Sequence, residues 1–114
     1  MRKESSTNTL NKISIENGCG MSYTLTLIGG RWKPAILWRL TKGKMRYSEL
    51  RNAIPAVTER ILVLHLREME KDGLIKRIVY AEVPPRVEYE LTEKGISLRP
   101  VLKQLSDWGD TNRQ

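Results

Sequence analysis

Positively charged side chains are concentrated in one segment of this chain, residues 29–60. The segment holds eight Lys and Arg residues against two Glu, whereas the whole chain has a net charge of +7. Clustered cations of this kind bind the phosphate backbone of nucleic acids. A surface that only promotes solubility usually spreads its charge more evenly, and it stands as the alternative. The segment therefore predicts a nucleic-acid partner.

A predicted helix at the end of this segment carries residues that could read DNA bases. Thr58 is a suitable N-cap, and TERILVLHLREMEKDG has the apolar spacing of a helix that ends at Gly73. Arginine is the commonest specific reader of guanine, and an aliphatic side chain can contact a thymine methyl group. The alternatives are an intrahelical ion pair for Arg60 and burial for Val63 and Leu64. We expect DNA contacts from Thr58, Glu59, Arg60, Val63, Leu64 and Arg67.

Other polar side chains are suited to the phosphate backbone. Arg46, Ser48 and Arg51 surround the start of the preceding predicted helix, and Lys33 lies at the start of an earlier one. Arg67 is expected to touch phosphate or to pair with an acidic neighbour rather than to read a base. These residues predict backbone contacts that position the protein on DNA.

Arg86 follows two prolines in the stretch VPPRVEYEL. Alternation with period two places Arg86, Glu88 and Glu90 on one face of a predicted strand, so the carboxylates could offset part of the charge of the arginine. We nevertheless expect the proline pair to hold Arg86 forward as a DNA contact.

The single cysteine and single histidine limit the other chemistry. Cys19 has no second cysteine to pair with, which excludes an internal disulfide and a multi-cysteine zinc site. It precedes a predicted helix, whose N-terminus favours a reactive thiolate; an inert thiol is the alternative. His65 is expected to be a structural residue at the margin of the core. No nucleophile–base pair or glycine-rich phosphate loop is evident, so we predict neither an enzyme nor a bound metal or cofactor.

Apolar periodicity predicts the elements that position these residues. Pro100 should kink or split the last helical stretch. Helices are expected at 21–28, 32–43, 47–54, 58–72 and from Thr92 onward, an extended piece at 44–46, and two strands, LIKRIVY and RVEYEL, joined by AEVPP. This order predicts a mainly α fold with a small β-hairpin (α+β), a winged helix-turn-helix in which 80–91 is the wing.

The length of 114 residues allows one domain. We expect a mobile arm at 1–18, the domain at 19–110 and a C-terminal tail at 111–114. No stretch approaches the roughly 18 apolar residues of a membrane span, and MRKESSTNTLNK lacks the apolar region of a signal peptide. The sequence therefore predicts a cytoplasmic protein without a membrane partner.

Three long blocks appear in an order that resembles a known family. They are CGMSYTLTLIGGRWKPAILWRL, RYSELRNAIPAVTERILVLHLREMEKDGLI and YAEVPPRVEYELTEKGISLRPVLKQLSDWG, which together span about residues 19–109. Each is similar to a block of the HxlR-type, MarR-like transcription regulators. The resemblance implies a homodimeric winged-helix protein whose fourth helix enters the major groove of double-stranded DNA at a pseudo-palindromic operator.

The resemblance also bears on the subunit interface and on Cys19. Some family members sense electrophiles or oxidants through a cysteine just before the first helix, where Cys19 stands. This chain has Gly20 where the family commonly has proline, Val63 where Ser or Thr is common, and Leu64 in place of a common glutamine. The first and last helices are expected to form the dimer through Tyr23, Leu25, Ile28, Leu98, Val101, Leu102, Leu105 and Trp108.

Two other functions use the same fold. A protein–protein adaptor would use Val63 and Leu64 as a docking patch and would not bind DNA specifically. An RNA-binding protein would need exposed aromatic residues for stacking on bases, and these are not evident in the sequence. The sequence predicts no particular small-molecule effector.

Overall fold

The structure, a computed structural model, describes residues 18–113. The chain divides into two compact units at Gly30. Apart from Gly18, the predicted N-terminal arm lies outside the described residues.

The first unit contains helix α1, Gly20–Ile28. The helix begins directly after Cys19, whose carbonyl accepts the N–H of Tyr23 at 2.9 Å. It ends at Gly29, whose N–H donates to the carbonyl of Leu25 at 2.8 Å. The predicted helix at 21–28 is confirmed, and its start lies one residue earlier.

The second unit has the order of elements expected for a winged helix-turn-helix, which confirms the predicted fold class. In chain order the elements are α2 Lys33–Leu40, β1 Met45–Arg46, α3 Tyr47–Ala53, α4 Glu59–Lys71, β2 Ile75–Tyr80, β3 Arg86–Leu91, α5 Glu93–Ile96 and α6 Arg99–Asn112.

The core of the second unit lies between the helices and one face of the sheet. Helices α2 and α3 pack on β3, α4 packs on β2, and α6 packs on α2. The apolar face predicted for α4 is confirmed, because Leu62, Leu66 and Met69 are at most 1% exposed. His65 is half-buried at the margin of this face.

The small sheet has three strands rather than the two of the predicted hairpin. The strand order is β1-β3-β2, and both pairs are antiparallel. The extended piece at 44–46 was predicted, but its pairing with β3 was not, because two residues of strand carry no signal for their partner. In the register of the sheet, both Met45 and Arg77 lie opposite Tyr89.

The last predicted helical stretch is split, as the position of Pro100 indicated. One turn, α5, is followed by α6, which carries Pro100 in its first turn. The predicted tail at 111–114 begins too early, because α6 continues to Asn112. The Asn112 side chain donates to the carbonyl of Trp108 at 2.8 Å, and Arg113 pairs with Asp110 at 3.1 Å. These local contacts extend the helix into the polar end of the chain.

A close junction joins the end of α4 to the start of α5. Gly73 has a φ of +78°, which ends α4 and turns the chain into β2. The Thr92 hydroxyl donates to the carbonyl of Gly73 at 2.6 Å and accepts the N–H of Gly95 at 3.1 Å. The carbonyl of Leu74 accepts the N–H of Thr92 at 3.1 Å. Gly95 is buried against the same carbonyl, which leaves no room for a Cβ atom.

We expect Gly95→Ala to destabilise the protein, because the new methyl group would collide with the backbone of Leu74. Overpacking of this kind costs about 1–3 kcal/mol in the free energy of unfolding. Gly109→Ala is the matched control: a Cβ there meets nothing within 4 Å, and alanine stabilises a helix by about 1 kcal/mol relative to glycine. Urea unfolding at one protein concentration measures both, and equal effects of the two variants would contradict this account of the junction.

Candidate nucleic-acid interface

Helix α4 presents a polar and aliphatic face to solvent opposite its buried face. The helix begins after Thr58, whose hydroxyl accepts the N–H of Ile61 at 3.2 Å and so caps the first turn. Arg60, Leu64 and Arg67 are exposed, and Leu64 has 46% of its surface accessible. The N-terminal half of α4 therefore presents an exposed cation, Arg60, and an exposed aliphatic side chain, Leu64, to a partner.

Arg60 is the exposed cation of the first turn of α4. Within residues 18–113 it makes no ion pair, so the predicted alternative of an intrahelical pair is not seen there. Its neighbour Glu59 instead pairs with Arg51 at 3.3 Å, and both of these side chains are about half exposed. Glu59 and Arg51 thus largely neutralise each other, whereas the charge of Arg60 is uncompensated.

Lys33 forms an ion pair between α2 and α4. Its side chain is only 12% exposed, and its Nζ lies 3.1 Å from Oε1 of Glu68 on α4. The same oxygen lies 3.2 Å from Nδ1 of His65. Burial raises the pKa of Glu68, but hydrogen bonds from Lys33 and His65 outweigh it and lower the pKa below its ordinary value. Lys33 therefore ties α2 to α4, and its contact with phosphate stays a prediction.

Arg86 is paired with two carboxylates rather than free. Its Nη2 lies 3.1 Å from Oε2 of Glu82, its Nε lies 3.8 Å from Oε2 of Glu88, and its side chain is 29% exposed. The guanidinium stacks on Tyr80, 3.9 Å from the ring centroid. Glu88, which was expected to offset part of its charge, and Glu82, which was not, hold the guanidinium against the stem of the wing. Arg86 is thus paired and stacked within the described part of the chain, and its contact with DNA stays a prediction.

Tyr80 joins Arg86 to a cation outside the hairpin. Its hydroxyl donates to Oε1 of Glu88 at 2.9 Å and accepts from Nζ of Lys44 at 3.2 Å. This hydrogen bond with Tyr80 raises the pKa of the Lys44 ammonium group. The tip of the wing beyond this network, Val83, Pro84 and Pro85, is exposed and carries no charge.

An open cleft of about 960 Å³ lies between α4 and the wing. Ser48, at the start of α3, and the half-buried Val63 of α4 belong to its lining, together with Pro84 and Pro85 of the wing tip. Four arginines belong to the same lining, namely Arg46, Arg67, Arg77 and Arg86. The structure thus brings several predicted contact residues from α3, α4 and the wing to one surface.

Arg77 lines the cleft and is not among the predicted contact residues. This residue lies on β2 opposite Tyr89, so its side chain is on the face of the sheet that carries the buried Tyr89. Strand alternation was applied to RVEYEL but not to LIKRIVY. Extending it to β2 would have placed Arg77 in line with Ile75 and Val79. Its approach to the cleft also depends on the strand register, which the sequence does not specify by itself.

Cys19 lies at the N-terminus of α1, where it was predicted. The thiol is exposed, and hydrogen bonds from the N–H groups of Ser22 and Met21, with a further contribution from the Ser22 side chain, lower its pKa. A lowered pKa raises the fraction of thiolate, which is the nucleophilic form.

The predicted subunit-interface residues fall into three groups by exposure. Ile28 and Leu102 are 2% and 3% exposed, so their side chains are buried within the single chain, and a place for them in a subunit interface stays a prediction. Tyr23 and Leu98 are partly buried. Leu25 on α1 is 57% exposed. On α6, Val101, Leu105 and Trp108 are 42%, 52% and 71% exposed and follow the spacing of one helical face.

Within residues 18–113, no three His, Cys, Asp or Glu side chains gather as ligands for a metal ion. None of the helices in this part of the chain is both long and apolar enough to cross a lipid bilayer.

Comparison with known proteins gives consistent results. A sequence model described as HxlR-like helix-turn-helix matches residues 27–114. YybR of Bacillus subtilis, described as an uncharacterized HTH-type transcriptional regulator, is 46% identical over 98 residues, which are 86% of this chain and 78% of YybR. YdeP of the same organism has the same description and is 50% identical over 93 residues, which are 82% of this chain and 73% of YdeP.

Solved structures with the same fold include a redox regulator and a transcriptional regulator. The redox regulator HypR in its oxidized form matches with a TM-score of 0.81 and 46% identity, over 84% of this chain and 99% of HypR. The reduced form of the transcriptional regulator YodB from Bacillus subtilis matches with a TM-score of 0.71 and 32% identity, over 85% of this chain and 96% of YodB.

Proposed function

The chain belongs to the HxlR-like helix-turn-helix family of transcription regulators, and from that premise we propose that it is a homodimer that recognises a pseudo-palindromic operator in double-stranded DNA. The observation that carries this proposal is the outward face of α4. Its first turn presents Arg60 without an ion pair in residues 18–113, while the opposite face of the same helix is anchored in the core.

Helix α4 is the element that enters the major groove in this proposal. In helix-turn-helix proteins the second helix of the motif places its N-terminal residues against base edges. Arg60 can donate two hydrogen bonds to guanine, and Leu64 can contact a thymine methyl group. The Thr58 hydroxyl accepts the N–H of Ile61, and Glu59 forms an ion pair with Arg51. Arg60 is therefore the residue of the first turn whose side chain is available to bind a base.

Backbone contacts come from the start of α3 and from the wing region. Arg46 and Ser48 are exposed there, and the backbone N–H of Arg46 donates to Oε1 of Glu49 at 2.8 Å, which holds the start of the helix. Contacts of this kind fix the orientation of the protein without reading sequence.

The exposed apolar residues of α1 and α6 form the subunit interface in this proposal. Val101, Leu105 and Trp108 are a stripe that water contacts in the single chain, and a second copy would remove it from water. A twofold dimer places two recognition helices in successive major grooves, about 34 Å apart. The symmetry of the dimer then requires an operator with matching half-sites.

The same protein is proposed to respond to oxidants or electrophiles through Cys19. Two observations support this: the thiol is exposed with a lowered pKa, and HypR, a redox regulator, is 46% identical in sequence. Two Cys19 thiols, one from each subunit, would form one disulfide as they give up two protons and two electrons to an oxidant. With an electrophile, the thiolate sulfur would form a single S–C bond.

We expect Arg60→Lys to remove sequence discrimination while it preserves affinity for random DNA. Lysine keeps the charge but cannot form the bidentate contact with guanine, which is worth about 1–3 kcal/mol.

Arg46→Ala should instead lower the affinity for operator and for random duplex equally, and it should reduce the slope of log affinity against log salt by about 0.9. Mobility-shift titrations against the DNA upstream of the gene test both variants. Equal losses on the two duplexes for both variants would contradict this assignment, and no binding by the parent at low salt would favour the adaptor function.

Trp108→Ala is expected to weaken the dimer, because a tryptophan buried at the centre of an interface commonly contributes 2 kcal/mol or more. Sedimentation velocity over a range of protein concentrations measures the dissociation constant. Val83→Ala is the control, since it also removes an exposed aliphatic group but at the tip of the wing. A monomeric parent protein, or equal dissociation constants for both variants, would rule out this interface.

Treatment with diamide is expected to change operator affinity in the parent and to leave Cys19→Ser unchanged. Diamide accepts two electrons and two protons as two thiols join in a disulfide, so a disulfide-linked dimer should appear on non-reducing gels. A reactive electrophile such as N-ethylmaleimide tests the alkylation route on the same two proteins. If parent and variant respond alike to both reagents, Cys19 is an inert thiol.

A further inference from the structure

Three guanidinium groups that line the cleft between α4 and the wing have no ionic partner in the described part of the chain. They belong to Arg46 before α3, Arg67 on α4 and Arg77 on β2, and each of these residues is exposed. Arg86, the fourth guanidinium at the cleft, is neutralised by Glu82 and Glu88. Uncompensated like charges on three separate elements repel one another, which an anion between them would relieve.

The carboxylates at the cleft do not cancel this charge. Glu59 is paired with Arg51, and Glu82 is paired with Arg86. Glu70 is the remaining carboxylate of the lining, and it makes no ion pair within residues 18–113. Three uncompensated cations against one carboxylate leave the cleft positive.

Tyr47 adds a hydrogen-bond donor that has no acceptor. Its hydroxyl oxygen is enclosed by protein atoms, lines the cleft region and has no hydrogen-bond partner among the described residues. Burial, and then the charge of the nearby Glu59 carboxylate, raise the pKa of this hydroxyl, and a weaker hydrogen-bond contribution from Glu59 acts in the same direction. Glu59 itself is turned toward Arg51. A buried donor without an acceptor is costly, and an oxygen of a ligand would satisfy it.

We propose that this cleft is a phosphate-binding site, in which Arg67 and Arg77 bind a backbone phosphate of the DNA and Tyr47 donates to one of its oxygens. The inference deepens the proposed function and rests on it for the source of the phosphate. When α4 lies in the major groove and the wing lies beside it, the sugar–phosphate strand that borders the groove passes between the two elements. Val63 and Pro84 add apolar surface to the lining beside these cations.

The two arginines of the hairpin, Arg77 and Arg86, have different roles in this proposal. Arg77 would contact the phosphate directly, whereas Arg86 is a positioning residue that holds the wing through Tyr80 and Glu82. The wing then contributes to backbone binding through its stem strand rather than through its uncharged tip.

The test compares Arg77→Gln with Lys76→Gln. The two residues are neighbours on β2 and lose the same charge, but Lys76 lies on the opposite face, where it pairs with Glu90 at 3.2 Å. At about 0.1 M salt, Arg77→Gln should lower affinity about five- to tenfold on operator and random duplex alike and reduce the salt slope by about 0.9. Lys76→Gln should stay within about twofold of the parent. Parent-like affinity for Arg77→Gln, or equal losses for both variants, would overturn the proposal.

A second experiment tests phosphate binding without DNA, with inorganic pyrophosphate as the ligand. In NMR titrations, pyrophosphate should shift the side-chain Nε–H of Arg77 and the ring resonances of Tyr47 in the parent, and Arg77→Gln should abolish the Tyr47 shift. If the parent bound no duplex yet showed these shifts, the phosphate site would stand and the proposed regulator function would fail. If the parent bound operator and pyrophosphate shifted neither residue, the phosphate site would fail and the regulator function would stand.

Discussion

The carbonyl group of Leu74 is the point on which the geometry of the domain depends. It accepts the N–H of Thr92 and lies directly against Gly95, while Gly73 just before it turns the chain out of α4. The end of the recognition helix, the first strand of the wing and the start of α5 therefore meet within a few residues. Because the wing leaves from this junction and returns to it, the separation between α4 and the wing is set by backbone contacts rather than by long side chains.

Much of the fold could be predicted because its signals are local. The Thr58 and Thr92 caps, the glycine after α4 and the apolar periodicity each act within a few residues, and all of them appear as expected. The split at Pro100 follows from the missing N–H of proline. The third strand of the sheet could not be predicted in the same way, because Met45 and Arg46 find their partners on β3 more than forty residues along the chain.

Individual cations were harder to assign than elements, because their roles depend on which carboxylates folding brings near them. Lys33 meets Glu68 from a helix that is distant in sequence, and this partner is invisible in a helical wheel of either segment alone. For Arg86 the neighbouring Glu82 and Glu88 were visible, but the tyrosine on which it stacks belongs to the other strand. A count of charges along residues 29–60 thus locates a basic region correctly and overstates how many of its members are free.

The outward face of α4 also has an evolutionary consequence. Arg60 and Leu64 are exposed, and they contribute little to the packing that holds the domain together. Substitutions at such positions usually change the free energy of unfolding by less than about 0.5 kcal/mol. Under the proposed function, a gene duplicate could therefore acquire a new operator preference by mutation at these sites without first acquiring compensating mutations in the core. The residues proposed to read DNA could then change during evolution while the residues that stabilise the fold stay the same.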